Sequence, residues 1–446
     1  MRRALLLGTL LSAALLPAAA SAHPLPGSQH AQIANLTLGV LPTPAVPPKN
    51  VSYVAGDNGF TGGHVAVQGD RLYLGSYGRG LHIYDIGDPR RPQRVGAYTP
   101  GLRADAPPDA VDHAGRRFAV LNGTRRTSTH SAVPPDARTD RTEWLDVTDP
   151  ANPLLLHVFG PDQVDGESHN GDIVDLRKLY VPSGGVGEQG LRIYDIAPTL
   201  TTPAAECRSG AADNPCKPEI LFRGDPGELW ASSPYRGTKP IGAEFTHTHD
   251  VEVYPNYPVK GLGRRDILML AEGGNYTGNG DTGSMFVIDI TNPRAPKVLL
   301  RWLHAQGTGH HPIRYHHEVQ FLDSDPRVAL VTDEDLHNGC GGAGGVTALR
   351  LAPDLRSARE LSEWFIPAGT PAPVCSVHVF SSKGSKVFLG SYNAGLQVVD
   401  YTNPAEPRQV GEYIAEGTTA WGALYHRGVV YVGDMTRGLD VFEFDG

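Results

Sequence analysis

The chain has 446 residues, with 53 Gly, 37 Pro, 20% charged residues and a formal charge of −9. These figures exclude a collagen-like fibre, a coiled coil, wholesale disorder and a polytopic membrane protein. The negative charge, without a long basic run, disfavours nucleic acid and anionic membranes as partners.

In chain order, Arg2 and Arg3 precede an apolar run from Ala4 to Leu16, which Pro17 breaks before the small residues Ala20-Ser21-Ala22. This is the layout of a secretory signal peptide over residues 1–22. The run is short of the roughly 20 residues a membrane helix needs. The expectation is a secreted, periplasmic or cell-surface protein with no transmembrane segment after cleavage. Residues 23–49 are Pro-rich and read as a linker. Residues 50–56, NVSYVAG, read as a strand and resemble VGEYIAEG at 410–417.

From there a unit recurs: GLHIYDIGDPRRPQRVGAY (80–98), GLRIYDIAP (190–198), SMFVIDITNPRAPKVLLRW (284–302) and GLQVVDYTNPAEPRQVGEY (395–413). TEWLDVTDPANPLLLHVF (142–159) keeps the Asp and both prolines, and GLDVFEF (438–444) ends the series. β-branched and aromatic runs make strands, Asp followed by Asn/Asp-Pro makes a tight turn, and the second Pro excludes helix. Hairpin-like runs such as HVAVQGDRLYLGSY (64–77) and VHVFSSKGSKVFLGSY (377–392) lie upstream of the units. One repeat is therefore four short antiparallel strands. Starts near Phe60, Asp105, Gly166, Glu244, Ile313, Pro371 and Thr418 give seven units of about 40–60 residues, the size of a propeller blade. The predicted fold is all-β, a seven-bladed β-propeller of four-stranded antiparallel blades over residues 50–446. The last unit stops after three strands. Residues 50–56 would supply its outer strand beside 438–444 and close the ring. A right-handed solenoid is the alternative, and terminal complementation with two Pro turns per unit argues against it.

The quoted units resemble the LVIVD-repeat family of secreted and cell-surface β-propellers. The match to GLxIxDIxxPxxPxxVG is good in units 1, 4 and 6 and partial elsewhere, with unit 5 reduced to GVTALRLAPDL (345–355). The resemblance implies a propeller and an extracytoplasmic location, and it implies no settled reaction.

Eighteen His residues are unevenly placed. His64, His169, His247, His249, His316, His317 and His378 stand at or just before the first strand of a unit, and first strands line a propeller's central channel. His169-Asn170, His249-Asp250 and His317-Glu318 recur in units 3, 4 and 5. Imidazoles converging on one mouth suit a divalent transition metal (Zn, Cu or Fe), and three of them leave a position open. His169, His249 and His317 are the expected ligands. His378 is favoured for a fourth place over His64, His247 and His316. Asp250 and Glu318 could accept the second N–H of a ligating ring. His249 and Asp250 cannot both face the channel from a regular strand, so an irregularity is expected at THTH. The alternative is a polar ring that bonds only loops and channel water.

The loops GGNYTGNGDTG (273–283) and VTDEDLHNGCGGAGG (331–345) concentrate oxygen donors and would suit Ca²⁺, although ordinary turn chemistry also explains them. Cys207 and Cys216 bracket a polar loop and are expected to form a disulfide in an excursion of unit 3 that leaves the propeller body. Cys340 and Cys375 either pair or leave Cys375 free near the His residues. No nucleotide-cofactor fingerprint and no hydrolase motif is present. The functional expectation is a monomeric secreted propeller that binds an extracellular ligand or protein at its channel mouth, through a His-lined metal site. A metal-dependent hydrolytic or oxidative enzyme using the same histidines is the alternative.

Overall fold

The computed structural model describes residues 43–76, 80–99, 102–103, 109–125, 139–159, 168–184, 190–239, 248–273, 283–304, 315–336, 339–342 and 344–446. The signal-peptide expectation on residues 1–22 lies outside them. Seven antiparallel sheets follow one another. Their innermost strands are Val65–Gln68, Asp109–His113, Ser168–Val174, Thr248–Val259, His316–Leu322, Phe380–Lys383 and Ala420–His426. Each sheet has four strands, and the second also carries the short strand Leu102–Arg103. The fold is the predicted seven-bladed propeller.

The recurrent Asp explains the unit. At the end of the third strand of blades 1, 2, 3, 4 and 6 it accepts a hydrogen bond from the backbone N–H two residues on. Asp85 accepts from Gly87 at 2.9 Å, Asp146 from Thr148 at 2.9 Å, Asp195 from Ala197 at 2.8 Å, Asp289 from Thr291 at 3.0 Å and Asp400 from Thr402 at 2.9 Å. The carboxylate thus stands in for a backbone acceptor, and the following Pro fixes the turn. In every blade the pairing of the third and fourth strands shifts by one residue, so one extra residue of the outer strand bulges.

Apolar residues form one layer between each pair of neighbouring blades. Leu268 and Leu270 face blade 3, whereas Ile267, Met269 and Ala271 face blade 5. A blade is buried on both faces, so its strands read as continuous apolar runs.

The chain's start closes the ring. Val51–Asp57 pairs antiparallel with Gly438–Phe444, from Val51 opposite Phe444 to Asp57 opposite Leu439. The stretch just before it is bonded rather than a bare linker. Ala45 N donates to Ile414 O at 2.7 Å, and Lys49 and Glu412 exchange both backbone bonds along blade 6.

Cys207 and Cys216 are bonded, as are Cys340 and Cys375, with Cα separations of 5.4 and 4.9 Å. The blade 3 excursion stays against the propeller body. Asn214 Nδ2 donates to Leu156 O of blade 2 at 2.9 Å, and Cys216 is buried in the layer between blades 2 and 3. Asn214 finds its acceptor at the bulge of that strand.

Candidate metal centre

The first strands bring three imidazoles together. The His249 and His317 ring centroids are 4.0 Å apart, and those of His317 and His378 are also 4.0 Å apart. All three are buried. His249 Nδ1 lies 2.7 Å from His317 O, and His378 Nδ1 lies 2.6 Å from Trp421 O. A carbonyl only accepts, so both Nδ1 atoms carry a proton, which leaves Nε2 as the nitrogen that the neutral ring would offer to a metal. The backbone of the next blade thereby fixes the tautomer of each ring.

Glu334, just after strand Asp325–Asp333, completes the group. Ligating atoms of His317, Glu334 and His378 all lie within 4.8 Å of one another. His378 Nε2 is 3.8 Å from Glu334 Oε1, with both side chains fully buried. The Tyr392 hydroxyl donates to the same Oε1. Burial, then the charge of Glu334, pushes the Tyr392 phenol well above its ordinary pKa, so it stays a donor. Tyr315, Tyr392 and Trp421 wall the site, with the Trp421 ring 4.1 Å from that of His378. Burying a carboxylate costs several kcal/mol of lost hydration, which a cation beside it would offset.

The other sequence-selected residues fall elsewhere. His64 is buried with its ring 5.2 Å from that of His378 and 6.0 Å from that of Trp421. The His316 ring turns away from His317 and stacks on Trp302 at 5.5 Å, because successive strand residues face opposite ways. The side chain of His169 and all of His247 lie outside the described residues. The 274–282 part of the first Gly-rich loop does too. The sequence groups Glu334 only with a loop suited to Ca²⁺, and its position directly after a blade's second strand is the signal that it reaches the mouth.

The expected irregularity at THTH is present. The register of blade 4's first strand shifts between Thr248 and Asp250, and blade 5 shifts between His316 and Val319. His249 therefore joins the imidazoles while Asp250 lines the channel. Asp250 and Glu318 have a different task from holding ring N–H groups. Asp250 accepts from Asn170 Nδ2 at 2.9 Å and Val319 N at 3.4 Å; Glu318 accepts from Gln320 Nε2 at 2.6 Å and Phe380 N at 2.7 Å. Asp109 accepts from Ile173 N and Asp172 from Val253 N, each at 2.6 Å. Each carboxylate caps an N–H on the next blade's innermost strand, whose inner edge has no further strand to pair with.

These groups line a channel cavity of about 410 Å³, together with Glu252 and His426. Burial pushes the Asp109 carboxyl up to about 6, that of Asp250 to about 7 and, with help from the Asp109 charge, that of Asp172 to about 8. Burial, followed by repulsion from neighbouring carboxylates, raises Glu252 and Glu318 well above the usual range.

Residues 62–100 match the family model of the LVIVD repeat. A search of curated proteins finds no match. Among solved structures the chain is similar to a protein from Lactobacillus plantarum, with a TM-score of 0.53, 11% identity and coverage of 81% of this chain and 88% of that one. It is also similar to the Myceliophteria thermophila Cps50 (Swd1) beta-propeller domain, with a TM-score of 0.51, 12% identity and coverage of 87% and 99%. At these identities the likeness establishes the propeller fold. Two disulfides and an LVIVD repeat fit an extracytoplasmic protein. Among the described residues no helix is long and apolar enough to cross a membrane.

Proposed function

We propose that this LVIVD-repeat β-propeller binds a divalent transition metal at its channel mouth, and through it an extracellular ligand or protein. His317, His378 and Glu334 are the ligands, and His249 is the neighbouring imidazole that can join them. The observation that carries this reading is the mutual approach of the three ligating atoms within 4.8 Å, in a buried site. Imidazole with one carboxylate is a donor set for Zn²⁺, Fe²⁺ or Cu²⁺ rather than for Ca²⁺. The His378 Nδ1 contact to Trp421 O supplies the outer hydrogen bond that metal-bound histidines generally have, and His249 Nδ1 has the same kind of contact to His317 O.

The test is metal content. The purified chain, dialysed against zinc and then against metal-free buffer, should retain metal at the mouth. A His317→Ala/His378→Ala variant should lose that equivalent and keep its circular dichroism spectrum. Equal retention by the variant would sink the reading.

A further inference from the structure

The outer strand of blade 5, Ala358–Trp364, carries the bulge common to all blades. Glu360 pairs with Leu349 and Ser362 with Ala348, so Leu361 is the extra residue. On a regular strand Glu360 and Glu363 would face opposite ways, and the extra residue brings them to one side. The same geometry in blade 6 lets Gln409 Nε2 reach Glu412 Oε2 at 3.1 Å across the bulge at Val410. In blade 5 both places hold carboxylates.

A third donor comes from blade 4. His304 follows the outer strand Lys297–Leu303, and its Nε2 lies 3.4 Å from Glu363 Oε1. Ligating atoms of His304, Glu360 and Glu363 all lie within 4.8 Å of one another. His304 is buried, the Glu363 side chain is 9% exposed and Glu360 is exposed, so the group opens to solvent on one side only. Trp302 and His316 back the His304 ring, with centroids at 5.2 and 5.9 Å.

We propose that this cleft between blades 4 and 5 is a second metal site, separate from the mouth, that takes a divalent cation of the zinc class. A His–Glu ion pair would need Glu363 alone. The second carboxylate at the same point makes a three-donor group of the kind a dication binds. One imidazole with two carboxylates suits Zn²⁺, and the open side leaves a position for water. A metal here ties the outer strand of one blade to the next.

Equilibrium dialysis against Zn²⁺ with elemental analysis tests the site on three proteins: the wild type, the His317→Ala/His378→Ala variant and a Glu360→Gln/Glu363→Gln variant. The wild type should hold two equivalents and each variant one. The glutamines match the glutamates in shape and Glu360 faces water, so a melting curve serves as the check on folding. If the Glu360→Gln/Glu363→Gln protein holds as much zinc as the wild type, the cleft is not a site. If the wild type holds one equivalent and that variant loses it, the cleft stands and the mouth reading fails.

Discussion

Nδ1 of His249 donates to the backbone carbonyl of His317, its neighbour on the next innermost strand, at 2.7 Å. One contact therefore fixes the tautomer and the orientation of the first ring. His378 repeats the arrangement with Trp421 O at 2.6 Å. In both cases the next blade orients the histidine of the blade before it.

Tyr392 holds Glu334 by a hydroxyl donated to Oε1. Tyr392→Phe should leave melting nearly unchanged and weaken metal binding at the mouth about tenfold, as loss of an outer hydrogen bond to a ligand generally does. Titration with Co²⁺, followed by its visible absorption, measures the change. Wild-type affinity in the variant would reduce Tyr392 to packing.

Burial keeps Asp250 and Asp172 protonated up to about 7 and about 8 in the folded chain. The unfolded chain releases these protons near pH 4. The folded state thus binds more protons between about pH 4 and 8, and stability falls as pH rises through that window. Melting temperatures at pH 5.5 and 8.5 should show the lower value at pH 8.5. Asp172→Asn should flatten the difference, and an unchanged slope in that variant would show that other groups carry it.

The first described residues close blade 7 and bond to blade 6. Removing the chain through Asp57 exposes the edge of Gly438–Phe444 and uncovers Phe442 and Tyr413, which pack on Tyr53 in one cluster. The loss should be at least about 3 kcal/mol from apolar burial alone. Urea unfolding of the truncated and full chains gives the number directly, and coincident curves would show that closure by this strand is dispensable.

Arg301 pairs with Glu272 at 2.8 Å, with side chains 1% and 2% exposed. Arg301→Met leaves a buried carboxylate without its cation and should cost about 3–5 kcal/mol. Pairing it with Glu272→Met should recover most of that loss. A double variant as unstable as the single one would mean that the packing around Phe286, on which Arg301 lies, matters more than the charge.

The architecture was written into the sequence because it is local and repeated. The Asp-turn-Pro chemistry acts within a few residues, and its recurrence along the chain admits few all-β arrangements. The missing last strand had its match at the other end of the chain, so even the closure was legible. The approach of His249 to His317 was expected from their equal places in successive units, with His378 as the favoured fourth member, while the side chain of His169, the third expected ligand, lies outside the described residues. Three other features depended on the tertiary structure. A one-residue shift in strand register decides which of two neighbours faces the mouth: it sends His317 in and His316 out, and lets His249 and Asp250 point to different chambers. Glu334 reaches the histidines, and Asp250 and Glu318 cap the next blade, because their partners lie tens of residues away. The bulge that aligns Glu360 with Glu363 belongs to strand pairing, and His304 meets them only across two blades. Turn chemistry acts between neighbours in the chain, whereas donor geometry is set by register and by blade-to-blade packing, which no local pattern encodes.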